Sequence, residues 1–112
     1  NVVDYTAAPI FMESKKQGTH QWLIEFDKVP EDLNRFILLL DESLRELNSD
    51  YDAKRYKNIT MRIPELVIAQ PKLFYKWLSK NKKLGGQHKI PRLSNNRDLM
   101  EELLGFNAMK PL

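Results

Sequence analysis

Cysteine is missing from all 112 residues, which excludes a disulfide framework, a thiolate nucleophile and cysteine-built zinc sites. Only two histidines occur, His20 and His88, and their separation shows no metal-ligand spacing, so no metal site is expected in this chain. Long hydrophobic runs are also absent. The longest, Phe36-Ile37-Leu38-Leu39-Leu40, is far short of the ~20 residues that cross a bilayer as a helix. The first residues lack the charged-then-apolar order of a secretory signal, so the chain reads as soluble and cytoplasmic with no membrane partner. Glycine is scarce at four residues, and no glycine- and serine/threonine-rich phosphate loop appears. Internal repeats and low-complexity linkers are missing too.

What remains is the composition of one compact domain spanning residues 1–112. Its hydrophobic content of 42% is enough for a core, but the length is short for a complete multi-substrate enzyme. A start at Asn1 instead of Met is what a piece cut from a larger protein would show, or a chain that has lost a tag or leader. The net charge of +3 is unevenly spread: residues 72–97 hold eight Lys or Arg and no acid, whereas residues 31–52 are rich in acids.

Hydrophobic periodicity divides the chain into elements. Residues 1–26 read as β-structure, with short apolar runs at Tyr5-Thr6-Ala7-Ala8 and Ile10-Phe11-Met12 and an alternating run from His20 to Phe26. The polar stretch 13–19 between the second and third runs suits a hairpin connection. From Pro30 the period becomes helical, with Leu33, Ile37, Leu40, Leu44 and Leu47 on one stripe; Asn48-Ser49-Asp50 favours a turn that ends it. Residues 58–63 are ambiguous. Glu65-Leu66-Val67-Ile68-Ala69 has the form of a buried strand entered at Pro64. Pro71 suits the start of a second helix with Leu73, Phe74, Trp77 and Leu78 inward, and Asn95-Asn96 offers a cap for a third over residues 97–104, closed by Gly105. This order implies an α/β (α+β) sandwich: a mixed or mostly antiparallel sheet of about four strands covered by two or three helices.

The segment Leu84-Gly85-Gly86-Gln87-His88-Lys89-Ile90-Pro91-Arg92 carries the most chemistry. Two glycines free the backbone, three residues that can be cationic follow, and Pro91 fixes its own φ while pushing Ile90 toward an extended shape. Such a loop presents a positioned cation to a phosphate or carboxylate, or is a solvated surface turn. Arg92 suits bidentate binding of an anion, or a tie to an acid of its own domain, and the residues leave both readings open. Asp50, Tyr51, Lys54 and Arg55 read as structural or domain-interface residues, His20 and Trp22 as strand residues, and Trp77 as core.

Four segments taken together, Val3-Asp4-Tyr5-Thr6, Gly18-Thr19-His20-Gln21-Trp22-Leu23-Ile24-Glu25-Phe26, Leu47-Asn48-Ser49-Asp50-Tyr51-Asp52-Ala53-Lys54-Arg55 and Gly86-Gln87-His88-Lys89-Ile90-Pro91-Arg92, resemble in order the C-terminal domain of the auxin-responsive promoter family of acyl acid-amido synthetases, its bacterial branch most closely. The resemblance implies a lid domain of a larger adenylate-forming enzyme. Its partner is an N-terminal adenylation domain of the same polypeptide, which binds ATP, Mg2+ and the acyl acid. In that reaction the acid attacks the α-phosphorus of ATP and expels pyrophosphate, then an amine or amino acid attacks the acyl-adenylate and expels AMP. Lys89 matches the lysine of the family's terminal Gln-x-Lys-x-Pro-Arg pattern and is the implied catalytic cation, with Arg92, Gln87 and His88 as substrate- or phosphate-binding candidates. The nucleotide loop belongs to the other domain, so this chain alone is expected to be inactive and to hold no cofactor tightly. A basic nucleic-acid-binding module using residues 72–97, or a non-catalytic interaction domain, is the alternative, although no nucleic-acid-recognition motif is evident.

Overall fold

The computed structural model describes residues 1–10, 18–56, 61–81 and 90–109. Strands β1 (Val2–Ile10) and β2 (Thr19–Phe26) pair antiparallel, with Ala7 opposite Trp22 and a register shift between Val2 and Asp4. The apolar runs on either side of Pro9 therefore belong to one strand, and Phe11 and Met12 of the second run lie outside the described residues. Proline fits here because β1 is an edge. The N–H and C=O of Ala7 point outward, away from β2, so the nitrogen of Pro9 two residues later also faces outward and no ladder bond is lost.

Strand β3 (Glu65–Ile68) pairs parallel with β2 and completes a mixed sheet of order β1-β2-β3. Among the described residues the sheet has three strands, against the about four expected; Leu93 adds an isolated parallel bridge to Ala7 on the free side of β1. A parallel pair needs a crossover connection. Helices α1 (Leu33–Leu47) and α2 (Ser49–Arg55) lie in it. Asp32 caps α1 by accepting the Arg35 N–H at 3.0 Å, so the helix starts beyond Pro30. Asn48 does more than end α1. Its side chain accepts the Tyr51 N–H at 3.0 Å and starts α2, a helix that the turn-like composition of residues 48–50 concealed.

Helices α3 (Leu73–Lys80) and α4 (Asp98–Asn107) cover the opposite face from α1 and α2. On one side Phe36 meets Phe26 edge-on at 5.2 Å and Tyr51 stacks on His20 at 6.4 Å. On the other, Ala8, Leu23 and Ala69 meet Leu73, Phe74, Trp77, Met100 and Leu103. A fully buried side chain of the size of Leu23 or Leu103 stabilises the fold by about 1.5–3 kcal/mol. Among the described residues there are thus four helices, against the expected two or three. Gly105 does not close α4, because Phe106 packs on the core and the Asn107 side chain donates to the Ile68 carbonyl at 3.1 Å, which keeps the last turn in register.

Candidate functional site

Ile90 is buried in the α3/α4 core. The next residues fasten to the free edge of β1. The Thr6 hydroxyl donates to the Pro91 carbonyl at 2.6 Å, the Ala7 N–H donates to the Arg92 carbonyl at 3.0 Å, and the Ser94 N–H donates back to Ala7 at 3.0 Å. Arg92 ion-pairs with Asp4, donates to the Tyr5 carbonyl at 3.4 Å and lies 4.6 Å from the centre of the Tyr5 ring. Arg97 then donates to the Pro9 carbonyl at 3.2 Å and to Gln21 at 2.8 Å. From Tyr5 to Pro9, residues 92–97 occupy the outward carbonyls and N–H groups of an edge that would otherwise invite pairing with another chain.

Of the site residues expected from sequence, Arg92 is placed by this anchor, whereas Gln87, His88 and Lys89 lie outside the described residues. Arg92 follows its intramolecular reading in part: it ties the segment to Asp4, yet its side chain stays 59% exposed. Three described members of the eight-cation block are engaged by the protein itself. Arg92 and Arg97 direct donors to the protein itself, and Lys80 sits 5.3 Å over the Phe106 ring. Lys82, Lys83 and Lys89 are outside the described residues. Among the described residues no group of three or more His, Cys, Asp or Glu is arranged to hold a metal ion. No described helix is long and apolar enough to cross a membrane.

Across the sheet, a charged cluster holds α1 to α2. Asp41 accepts from the Tyr51 hydroxyl at 2.7 Å and from Arg55 at 2.7 and 2.8 Å, and Arg55 also donates to the Met61 carbonyl at 3.1 Å. All three side chains are buried. Burial pushes the Asp41 carboxyl up, but the hydrogen bonds from Arg55 and Tyr51 and the charges of Arg55 and Arg45 outweigh it and hold the carboxyl below its ordinary range. The Tyr51 hydroxyl is pushed up by burial and by its bond to Asp41. Tyr51 and Arg55 are thus structural, as expected, while Asp50 and Lys54 pair outside at 3.1 Å. Asp41 belongs to none of the sequence motifs, yet it is the centre of this cluster. Its signal was available: an acid four residues after Ile37 and three before Leu44 sits on the apolar stripe of α1, where it needs a buried partner.

Residues 1–98 match the GH3 family C-terminal domain. The chain belongs to the GH3 family. This is the auxin-responsive promoter family that the four ordered segments resemble, and the match includes the 87–92 segment with its anchor on β1, while all but the first residue of α4 lies beyond it. Among solved structures the fold is similar to that of a GH3.15 acyl acid amido synthetase, with a TM-score of 0.65 and 20% identity over 95% of this chain. The aligned region is 19% of that protein, so this GH3 chain spans about a fifth of its length. No curated protein matches the chain.

Proposed function

We propose that this GH3 domain is the mobile lid of an ATP-dependent acyl acid-amido synthetase of the bacterial branch, working in the cytoplasm. The preceding domain of the same polypeptide holds ATP, Mg2+ and the acyl acid. The observation that carries this reading is that the GH3 match runs through residue 98 and so takes in Gln87-His88-Lys89-Ile90-Pro91-Arg92, whose downstream end is fastened to β1 by Thr6, Ala7 and Asp4. A cation that must act on phosphate oxygens needs such a fixed base, because a misplacement of about 1 Å lowers rates steeply.

In this reading Lys89 stabilises the negative charge that builds on oxygen when the carboxylate attacks the α-phosphorus of ATP, and again when an amine attacks the acyl-adenylate. Preorganised donors in a partly dry cleft are worth more than the same groups in water. A lysine suits the task, being a compact charge on a flexible stem. Gln87, His88 and Arg92 orient substrate oxygens beside it. The domain alone makes no amide, since the nucleotide pocket lies in the other domain.

The test is ATP–pyrophosphate exchange by the full-length protein across panels of acyl acids, followed by amide formation with panels of amines. Lys89→Ala is expected to slow exchange by about 10²-fold or more. An unchanged exchange rate in that variant removes Lys89 from the mechanism, and no exchange with any acid in the unaltered protein rejects the synthetase reading.

A further inference from the structure

The two faces of the sheet are covered to different degrees. Under α3 and α4, Leu23, Phe74, Met100 and Leu103 are at most 1% exposed. On the other face Ile24 and Phe26 are buried as well, but the apolar side chains of α1 are not. More than half of its 15 residues are leucine, isoleucine or phenylalanine, yet Asp41 is its single buried side chain. Leu39 is 47% exposed and Leu47 86%, and with the exposed Ser43 they recur every fourth residue as one row. Leu39 is two residues from Asp41, a turn of about 200° around the helix, so the row lies on the side of α1 away from α2. In the strands, Tyr5 and Trp22 alternate onto this same face with rings 5.5 Å apart, and both stay half-buried.

Apolar side chains kept in water along the longest described helix mark an interaction surface. Its size says with what. A face about 22 Å long and about 10 Å wide offers a few hundred Å², well short of the about 800 Å² per partner that a stable complex of two free proteins uses. Such a face suits a tethered partner, because a tether raises the local concentration to about millimolar.

The family supplies that partner. The match is to a C-terminal domain, and this chain aligns with only 19% of the similar GH3.15 protein, so most of such a polypeptide lies in a preceding domain. Its chain would arrive at Asn1, whose carbonyl accepts the Asp27 N–H at 3.0 Å just ahead of α1. Arg92 of the candidate site lies 4.6 Å from the centre of the Tyr5 ring and so borders the same face. We propose that the α1 side of the sheet, along the Leu39–Ser43–Leu47 row, is where the preceding domain of the same polypeptide docks through an apolar patch of its own. Interdomain contacts of modest size are made and released readily, as a lid requires. This rests on the two-domain part of the proposed function and requires neither Lys89 nor amide synthesis.

The test places a photo-crosslinking amino acid at position 39 of the full-length protein, with position 102, exposed on α4 at the opposite face, as control. Irradiation is carried out with and without ATP and Mg2+, and the products are mapped by mass spectrometry. The expected result is an intramolecular crosslink from position 39 to the preceding domain in at least one condition, and none from position 102. Leu47→Lys should leave folding intact, because residue 47 is 86% exposed and a cation suits the last turn of α1. It should lower the yield from position 39 several-fold, since a leucine withheld from an apolar contact shifts a docking equilibrium by about tenfold or more. Crosslinks between two copies, crosslinks confined to residues 1–112, no crosslink, equal yields from positions 39 and 102, or a yield untouched by Leu47→Lys overturns the proposal. Crosslinking to the preceding domain without ATP–pyrophosphate exchange leaves the docking surface standing and sinks the synthetase reading alone; exchange without that crosslink does the reverse.

Discussion

Arg55 grips both carboxylate oxygens of Asp41 with one edge of its guanidinium, Nε to Oδ1 at 2.7 Å and Nη2 to Oδ2 at 2.8 Å, with each side chain more than nine-tenths buried. The pair fixes α2 against α1 and, through the Met61 carbonyl, reaches the chain entering β3. Arg55→Met leaves the Asp41 carboxylate buried without its partner and should lower unfolding stability by about 3–5 kcal/mol. The double change Asp41→Leu with Arg55→Met removes both charges and should recover most of that loss. Lys54→Ala, which breaks only the outer pair with Asp50, should shift stability by about 0.5 kcal/mol or less. Urea denaturation of the three variants decides it: a single change no worse than the double one shows that the pair is not under strain from burial.

A second prediction concerns pH. Burial is the larger cause and Lys54 the smaller of a His20 pKa below its ordinary 6.5, because both disfavour the imidazolium. The unfolded chain then binds a proton at His20 more readily than the folded one. Stability from this residue is fully present above pH 6.5 and is lost as pH falls from there toward the lowered folded value. Asp41 acts lower: its contribution disappears only as pH drops below the ordinary 3.8. Between pH 7 and 5 the loss should therefore follow His20, and His20→Gln should flatten it. An NMR titration of His20 with a midpoint at or above 6.5 would falsify this assignment.

The elements that could be read from the chain are those whose signal is local. The apolar stripe of α1 and the alternation of β2 need only neighbouring residues, so both appear where expected. Pro9 lies within β1 because β1 is an edge, and edge position is a tertiary fact that no local pattern carries. Asn48 suits a turn and a helix cap equally well, and it becomes a cap because Tyr51 and Arg55 find Asp41 beneath them. The candidate site divides in the same way. The Gln87-His88-Lys89-Ile90-Pro91-Arg92 pattern is legible as a family likeness, but its base is not, since Thr6 bonds a carbonyl 85 positions away.

Gly105 offers a direct stability test. It lies inside α4, exposed, and a methyl group added at its Cα would meet nothing within 4 Å. Glycine there weakens the helix relative to alanine by about 0.5–1 kcal/mol, mostly through the freedom it has in the unfolded chain. Gly105→Ala should raise the midpoint of thermal unfolding by several degrees, as ~1 kcal/mol does for a domain of this size. A lowered midpoint would mean that the position serves something other than helix continuity.

The Arg92–Asp4 contact makes a final test of whether this arginine serves more than its own fold. The pair is largely exposed, and exposed pairs contribute about 0–1 kcal/mol, so losing it should hardly affect folding. Arg92→Lys can keep the ion pair with Asp4 but loses the planar fork, its place over the Tyr5 ring and any bidentate grip on a phosphate or carboxylate. If Arg92 holds a substrate oxyanion beside Lys89, the variant of the full-length protein should lose at least about tenfold in kcat/KM for pyrophosphate exchange. Its thermal midpoint should stay within a degree or two of the parent, because the β1 edge is still held by the Thr6 hydroxyl on the Pro91 carbonyl and the Ala7 N–H on the Arg92 carbonyl. Equal exchange rates for the two proteins would confine Arg92 to anchoring residues 90–94, and a matched fall in midpoint and rate would show that the edge itself had opened.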